Sequence, residues 1–134
     1  MRQIGSRPGR LCPENQREDH VSKNLNPGAP KFEKYRLKNG LEVILAENHR
    51  LPLVAVNVWY HVGPANERPG LTGFAHLFEH MMFEGSKHVG EKAHFLYLES
   101  AGASSINGST DFDRTNYFET LPSNQLELAL WLES

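Results

Sequence analysis

The chain has 134 residues, 39% hydrophobic and 22% charged, with a net charge of −2, one cysteine and seven histidines. One cysteine excludes a disulfide framework and a Cys-based zinc finger. No apolar run approaches the roughly 18 residues of a membrane span, and the charge gives no general attraction for nucleic acid. Length and hydrophobic fraction fit one small domain. Any metal chemistry must use imidazole and carboxylate.

Residues 1–30 hold few hydrophobics, with five basic against three acidic side chains. They read as a disordered lead-in in which Cys12 is an incidental free thiol. They contain no apolar core of a secretory signal. From Phe32 the pattern becomes regular. Phe32–Leu37 and Leu41–Ala46 read as two strands joined at Asn39-Gly40, a strong hairpin signal. Leu53–His61 (LVAVNVWYH) is rich in β-branched and aromatic residues, and its continuous apolar start predicts a central strand buried on both sides. Trp59 and Tyr60 are expected to pack it against the helices. After a loop, Leu71–Phe83 predicts a helix, with Leu71, Phe74, Ala75, Phe78, Met81 and Met82 at three- and four-residue steps. Met81, Met82 and Phe83 read as core. A second helix is expected from Glu91 to Ser100, with Gly102 as its left-handed C-terminal stop. Ser104–Thr110 and Thr115–Leu121 read as strands around an Asx-type turn at Asp111–Arg114, where Asp113 and Arg114 are adjacent candidates for an ion pair. Asn124 with Glu127 resembles a capping box opening a helix that continues to Ser134. The order β-β-β-α-α-β-β-α is an α+β pattern, an antiparallel or mixed sheet packed with helices. A last helix with neither glycine nor basic final turn reads as a domain cut short.

His76-Leu77-Phe78-Glu79-His80 carries the chemistry. Residues four apart on a helix share a face, so two imidazoles there can hold one divalent ion. Glu79 lies beside them and can reach a water on that ion without being a ligand. Zinc lowers the pKa of such a water from 15.7 to about 7, and a neighbouring carboxylate can take its proton and pass it to a leaving amine. H-x-x-E-H is the inverzincin order of these parts. The plainer alternative is a helix with two surface histidines and a salt-bridging glutamate. Because His76 and His80 interrupt an apolar face, they are expected half-buried and in need of a partner.

The stretch WYHVGPANERPGLTGFAHLFEHMMFEGS (Trp59–Ser86) resembles the active-site segment of the pitrilysin/insulinase family of zinc metallopeptidases. The run INGSTDFDRTNYFETLPSNQLELALWLES is similar to the family's next block. The resemblance covers residues 31–134, which would then be a partial N-terminal catalytic domain. It implies an α+β metallohydrolase-like fold, one Zn2+, His76 and His80 as ligands, and Glu79 as general base. It places Asn107, Gly108, Ser109 and Thr110 on an edge strand that pairs with an extended peptide substrate by β-augmentation, although Asn107-Gly108 alone signals a tight turn. It implies a third ligand, a glutamate beyond Ser134, and a second homologous half or subunit. The substrate would be a peptide or unfolded polypeptide, with no nucleic acid and no membrane span involved. The compartment stays open: periplasmic or secreted by resemblance, cytoplasmic if Met1 is the true start. A non-catalytic assembly subunit of the same fold is the competing reading.

The remaining candidates have ordinary readings. His61 reads as a strand residue, His88 as a solvated loop residue and His94 as a surface position. Asp111-x-Asp113-x-Thr115 resembles the start of an EF-hand loop, but Asn116 and Pro122 stand where glycine and glutamate are required, which excludes calcium.

Overall fold

The computed structural model describes residues 31–134; the expected lead-in of residues 1–30, with Cys12, lies outside them. The chain divides into two units, Met1–His49 and Arg50–Ser134. The described part of the first is a hairpin. β1 (Glu33–Arg36) pairs antiparallel with β2 (Glu42–Leu45). The turn closes by Gly40 N to Leu37 O at 2.9 Å and Leu37 N to Leu41 O at 2.8 Å, with Gly40 at φ +91°. This is a three-residue loop with a left-handed glycine, which matches the strand twist. Lys34 lies 2.7 Å from Glu42 and holds its carboxyl below the usual range.

The second unit is a three-stranded antiparallel sheet of order β3-β5-β4 carrying helices. Its strands are β3 (Leu53–Tyr60), β4 (Ser104–Asp111) and β5 (Arg114–Pro122). Helices α1 (Phe74–Met82) and α2 (Ala93–Ser100) lie between β3 and β4 in sequence, and α3 (Leu126–Leu132) follows β5. The α+β order is as expected, and every strand pairing is antiparallel. The central strand is β5, not β3. β5 pairs on both sides and is buried at Thr115, Asn116, Tyr117, Glu119 and Leu121. β3 has one neighbour among the described residues and buries only Val56 fully. An apolar run reports how much a strand can bury, not where it sits in a sheet.

Val56, Leu98, Leu121 and Ala129 form the core, bordered by Val54, Val58, Ala103, Ile106 and Leu132. Leu98 and Leu121 are fully enclosed, each burial stabilising by about 1.5–3 kcal/mol. Gly102 ends α2 as expected. At φ +84° it donates to Glu99 O at 3.0 Å while Ala103 N reaches Leu98 O at 2.9 Å, a Schellman closure. The capping box at Asn124 does not form. Ser123–Gln125 is a 3-10 turn, α3 starts at Leu126 without a side-chain cap, and it ends at Leu132.

One irregularity sets the site. Ser104 pairs with Thr120 and Asn107 with Phe118, so β4 carries one extra residue there. Ser105 adopts φ +55°. This β-bulge shifts the side-chain alternation by one. It turns Ile106, Gly108 and Thr110 toward the helices and leaves Asn107 and Ser109 on the opposite face.

Candidate active site

The loop before α1 fixes the helix. Gly63 packs against the β4–β5 turn so closely that a Cβ there would overlap Asp111 O and Phe112 O, and Ala65 N donates to Phe112 O at 2.8 Å. Glu67 then spans the helix start. Its Oε2 accepts from Gly73 N at 2.7 Å and its Oε1 from Ala75 N at 2.8 Å. A carboxylate there satisfies two first-turn donors and meets the positive end of the helix dipole. The same bonds, first from Ala75 and then from Gly73, hold its carboxyl below the usual range.

On α1, His76 and His80 stack with ring centroids 4.8 Å apart and planes at 28°. Their Nε2 atoms face each other at 3.0 Å. Two imidazole lone pairs at that separation repel unless a proton or cation lies between them. Two zinc–nitrogen bonds of 2.0–2.1 Å at a tetrahedral angle would need about 3.3 Å, so a small ring rotation adapts the pair to one ion. The histidines therefore fit zinc as two of its ligands. Among the described residues no group of three or more His, Cys, Asp or Glu is arranged to hold a metal, so the pair alone would not complete a zinc site.

Burial falls on Glu79 rather than on the histidines. His76 and His80 are exposed, whereas Glu79 is 8% exposed. Its Oε2 accepts from the Thr110 hydroxyl on β4, and its stem lies over Gly108, beside Phe83 and Tyr117. Tyr117 is pushed up to about 12, by burial first and then by the charge of Glu79, so it stays neutral there. Met81 and Met82, expected in the core, are half exposed. Phe83 packs on Phe95, His94 and Tyr117. An apolar cavity of about 390 Å³ runs beside α1, lined by Tyr60, Val62, Phe74, Phe78, Met82 and Tyr117 among others.

The segment Asn107–Thr110 is a strand, not a turn, and among the described residues β4 pairs with β5 alone. Its side chains serve the fold. Ser109 Oγ donates to Asn116 Oδ1 at 2.7 Å, Gly108 N donates to Asn107 Oδ1 at 2.9 Å, and Thr110 holds Glu79. The main chain along the outer side of β4 is what this edge offers a ligand.

The other candidates separate. His61 lies just past β3 and His88 in a loop, both exposed. His94 is buried, not at the surface. Its Nε2 lies 3.3 Å from Glu133 Oε1, and its Nδ1 has no hydrogen-bond partner among the described residues. Near this pair is Glu119, 2% exposed with Oε1 unpartnered. Burial raises its carboxyl to about 7, reinforced by Glu133 and opposed by His94. Trp59 is 54% exposed and lies under the Arg114 guanidinium at 4.9 Å instead of against a helix. Arg114 pairs with Asp111 at 3.4 Å, not with Asp113, because Asp111 and Arg114, three apart, face each other across the tight turn whereas sequence neighbours alternate. Glu67, Thr110 as a side-chain donor, Thr115 and Glu119 escaped sequence reading: Thr110 and Thr115 act on residues 31 and 53 positions away, Glu67 reaches across a loop to the helix start, and the burial of Glu119 follows from the centre of the sheet.

Residues 42–132 match the insulinase family (peptidase family M16). A zinc protease of Helicobacter pylori, PqqE, is 36% identical over 104 residues, covering 77% of this chain and 23% of that protein. The beta subunit of the mitochondrial-processing peptidase of Blastocladiella emersonii is 32% identical over 110 residues, covering 79% of this chain and 23% of the subunit. A crystal structure of a protease from Helicobacter pylori superposes with a TM-score of 0.74 at 35% identity, covering 78% of this chain and 25% of that one. The chain thus spans about a quarter of the length of these relatives. With the H-x-x-E-H helix seated on an antiparallel sheet and the match running through both, the chain belongs to the insulinase family, peptidase family M16.

Proposed function

We propose that residues 31–134 contribute the general base and two zinc ligands to the catalytic domain of a zinc metalloendopeptidase. The observation that carries this reading is the division of labour on α1. Two exposed imidazoles face each other at 3.0 Å, while the glutamate between them in sequence is buried and held by Thr110. A surface salt-bridging glutamate would not be turned into the sheet.

When bound by His76 and His80, zinc supplies a Lewis acid for the scissile carbonyl and lowers the pKa of water. Glu79, with Oε2 fixed by Thr110, takes a proton from the attacking water at Oε1 and returns it to the leaving amine. The outer edge of β4 at Asn107–Thr110 pairs with an extended peptide through main-chain hydrogen bonds, which gives affinity with little sequence demand. The substrate is a peptide or unfolded polypeptide. The third ligand, a glutamate, and a second homologous half come from outside residues 31–134.

Zinc calorimetry with a peptide-cleavage assay on the isolated 134-residue chain tests the division. Weak zinc binding without turnover is expected. Micromolar or tighter affinity with robust turnover would show the ligand set complete within this chain and sink the proposal.

A further inference from the structure

We propose that Thr110 is the positioning residue of Glu79, giving its one hydroxyl hydrogen to Oε2. This rests on Glu79 being the base. Each threonine hydroxyl has one hydrogen. Thr115 Oγ1 gives its hydrogen to Val62 O at 2.9 Å, which leaves it only an acceptor toward Thr110 Oγ1 at 3.3 Å. The hydrogen of Thr110 is the single donor between two acceptors, and the carboxylate, charged and closer, takes it. Thr115 and Thr110 thus donate in opposite directions, one to Val62 O past the end of β3 and the other to Glu79 on α1.

Packing closes the remaining freedom. A Cβ on Gly108 would stand 3.1 Å from Glu79 Cγ, 3.2 Å from Phe83 Cε2 and 3.2 Å from Tyr117 Cδ1. The stem of Glu79 therefore rests on bare backbone, and Thr110, two residues on along the same face, meets its carboxylate. The bulge at Ser105 creates this arrangement; without it Asn107 and Ser109 would face α1. β4 then has two faces of use. Its outer edge takes the peptide, and its helix-facing side chains hold the base, so the scissile bond and Glu79 share one rigid strand.

The test completes the chain with the third ligand and second half that the proposed function calls for, and compares this enzyme with its Thr110→Val and Thr110→Ser variants for zinc content, kcat and KM on an unstructured fluorogenic peptide. A urea-unfolding cycle of Thr110→Val with Glu79→Ala accompanies it. Thr110→Val is expected to keep its zinc and a KM within about twofold, and to lose roughly 10- to 100-fold in kcat, part of what a positioned base supplies. Thr110→Ser should recover most of that loss. The unfolding constants should depart from additivity by roughly tenfold, as for a hydrogen bond to a charged group. Parental kcat in Thr110→Val, a loss that serine does not recover, or an additive cycle each overturn the assignment. An inactive completed enzyme that has bound its zinc would refute Glu79 as base, and the cycle, run on the 134-residue chain, would still decide whether Thr110 holds it.

Discussion

Glu79 and Glu119 are both buried glutamates on the helix-facing side of one sheet, 8% and 2% exposed. Glu79 comes from a helix and accepts the hydroxyl hydrogen of Thr110. It sits one residue from the exposed His80, three from the exposed His76, and beside a strand at the edge of the described sheet. Glu119 comes from the central strand, near His94 and Glu133, with Oε1 unpartnered and its carboxyl raised to about 7. Burial is common to both, so burial does not mark the reactive group. The difference is that Glu79 is satisfied at one oxygen and lies where a substrate can arrive, whereas Glu119 is enclosed and incompletely satisfied. Buried carboxylates of the second kind lower stability.

Removing the charge of each glutamate separates the two most sharply. In the enzyme completed by its third ligand and second half, Glu79→Gln should lower kcat by about 10²–10⁴-fold, the range of a positioned base, while zinc content by atomic absorption stays at the parental level. Loss of zinc together with turnover would instead make Glu79 a ligand. His76→Ala and His80→Ala should show the complementary pattern, losing zinc and with it activity, since two imidazoles are the ligands these residues offer.

Glu119→Gln should act in the opposite sense, on stability. The folded state holds the Glu119 proton up to about pH 7, against 4.5 for an ordinary glutamate. The stabilisation from that protonated form is complete below pH 4.5 and is lost as pH rises through about 7. The glutamine variant should therefore match the parent near pH 4, gain on it between pH 4.5 and 7, and lead by roughly 1–3 kcal/mol above that. Denaturant midpoints across this range measure the lead. A pH-independent offset would mean that Glu119 is not the titrating group.

The comparison also explains what could be read from the sequence. The H-x-x-E-H helix, the Gly40 turn and the Gly102 stop depend on residues within a turn or two of each other, and all three formed. Glu79 and Thr110 are 31 residues apart, and His94 and Glu133 are 39 apart. No periodicity encodes such meetings. They follow from strand order and from a bulge at Ser105 that no local residue pattern announces. The centre of the sheet was misplaced for the same reason. β3 has the stronger apolar run, but β5 has two neighbours. The exposure of the histidines was likewise misread, because an apolar helix face does not say which of its residues meet the sheet.

The smallest effect concerns a third glutamate, and it tests whether the frame of α1 matters as much as the seat of Glu79. Glu67 is half-buried and acts through its bonds to Gly73 N and Ala75 N at the start of the helix. These bonds favour its ionised form, so its carboxyl is depressed. Its contribution is present above the usual carboxylate range and is lost as pH falls through the lowered value. Glu67→Ala should speed amide exchange at Gly73 and Ala75 near neutral pH and leave exchange at Thr110 and Tyr117 unchanged. On acidification the parent should approach the variant at the two helix amides. If exchange at Thr110 rises as well, the helix start and the seat of Glu79 open as one cooperative unit, and the base is held by the whole α1–β4 contact rather than by its own hydrogen bond.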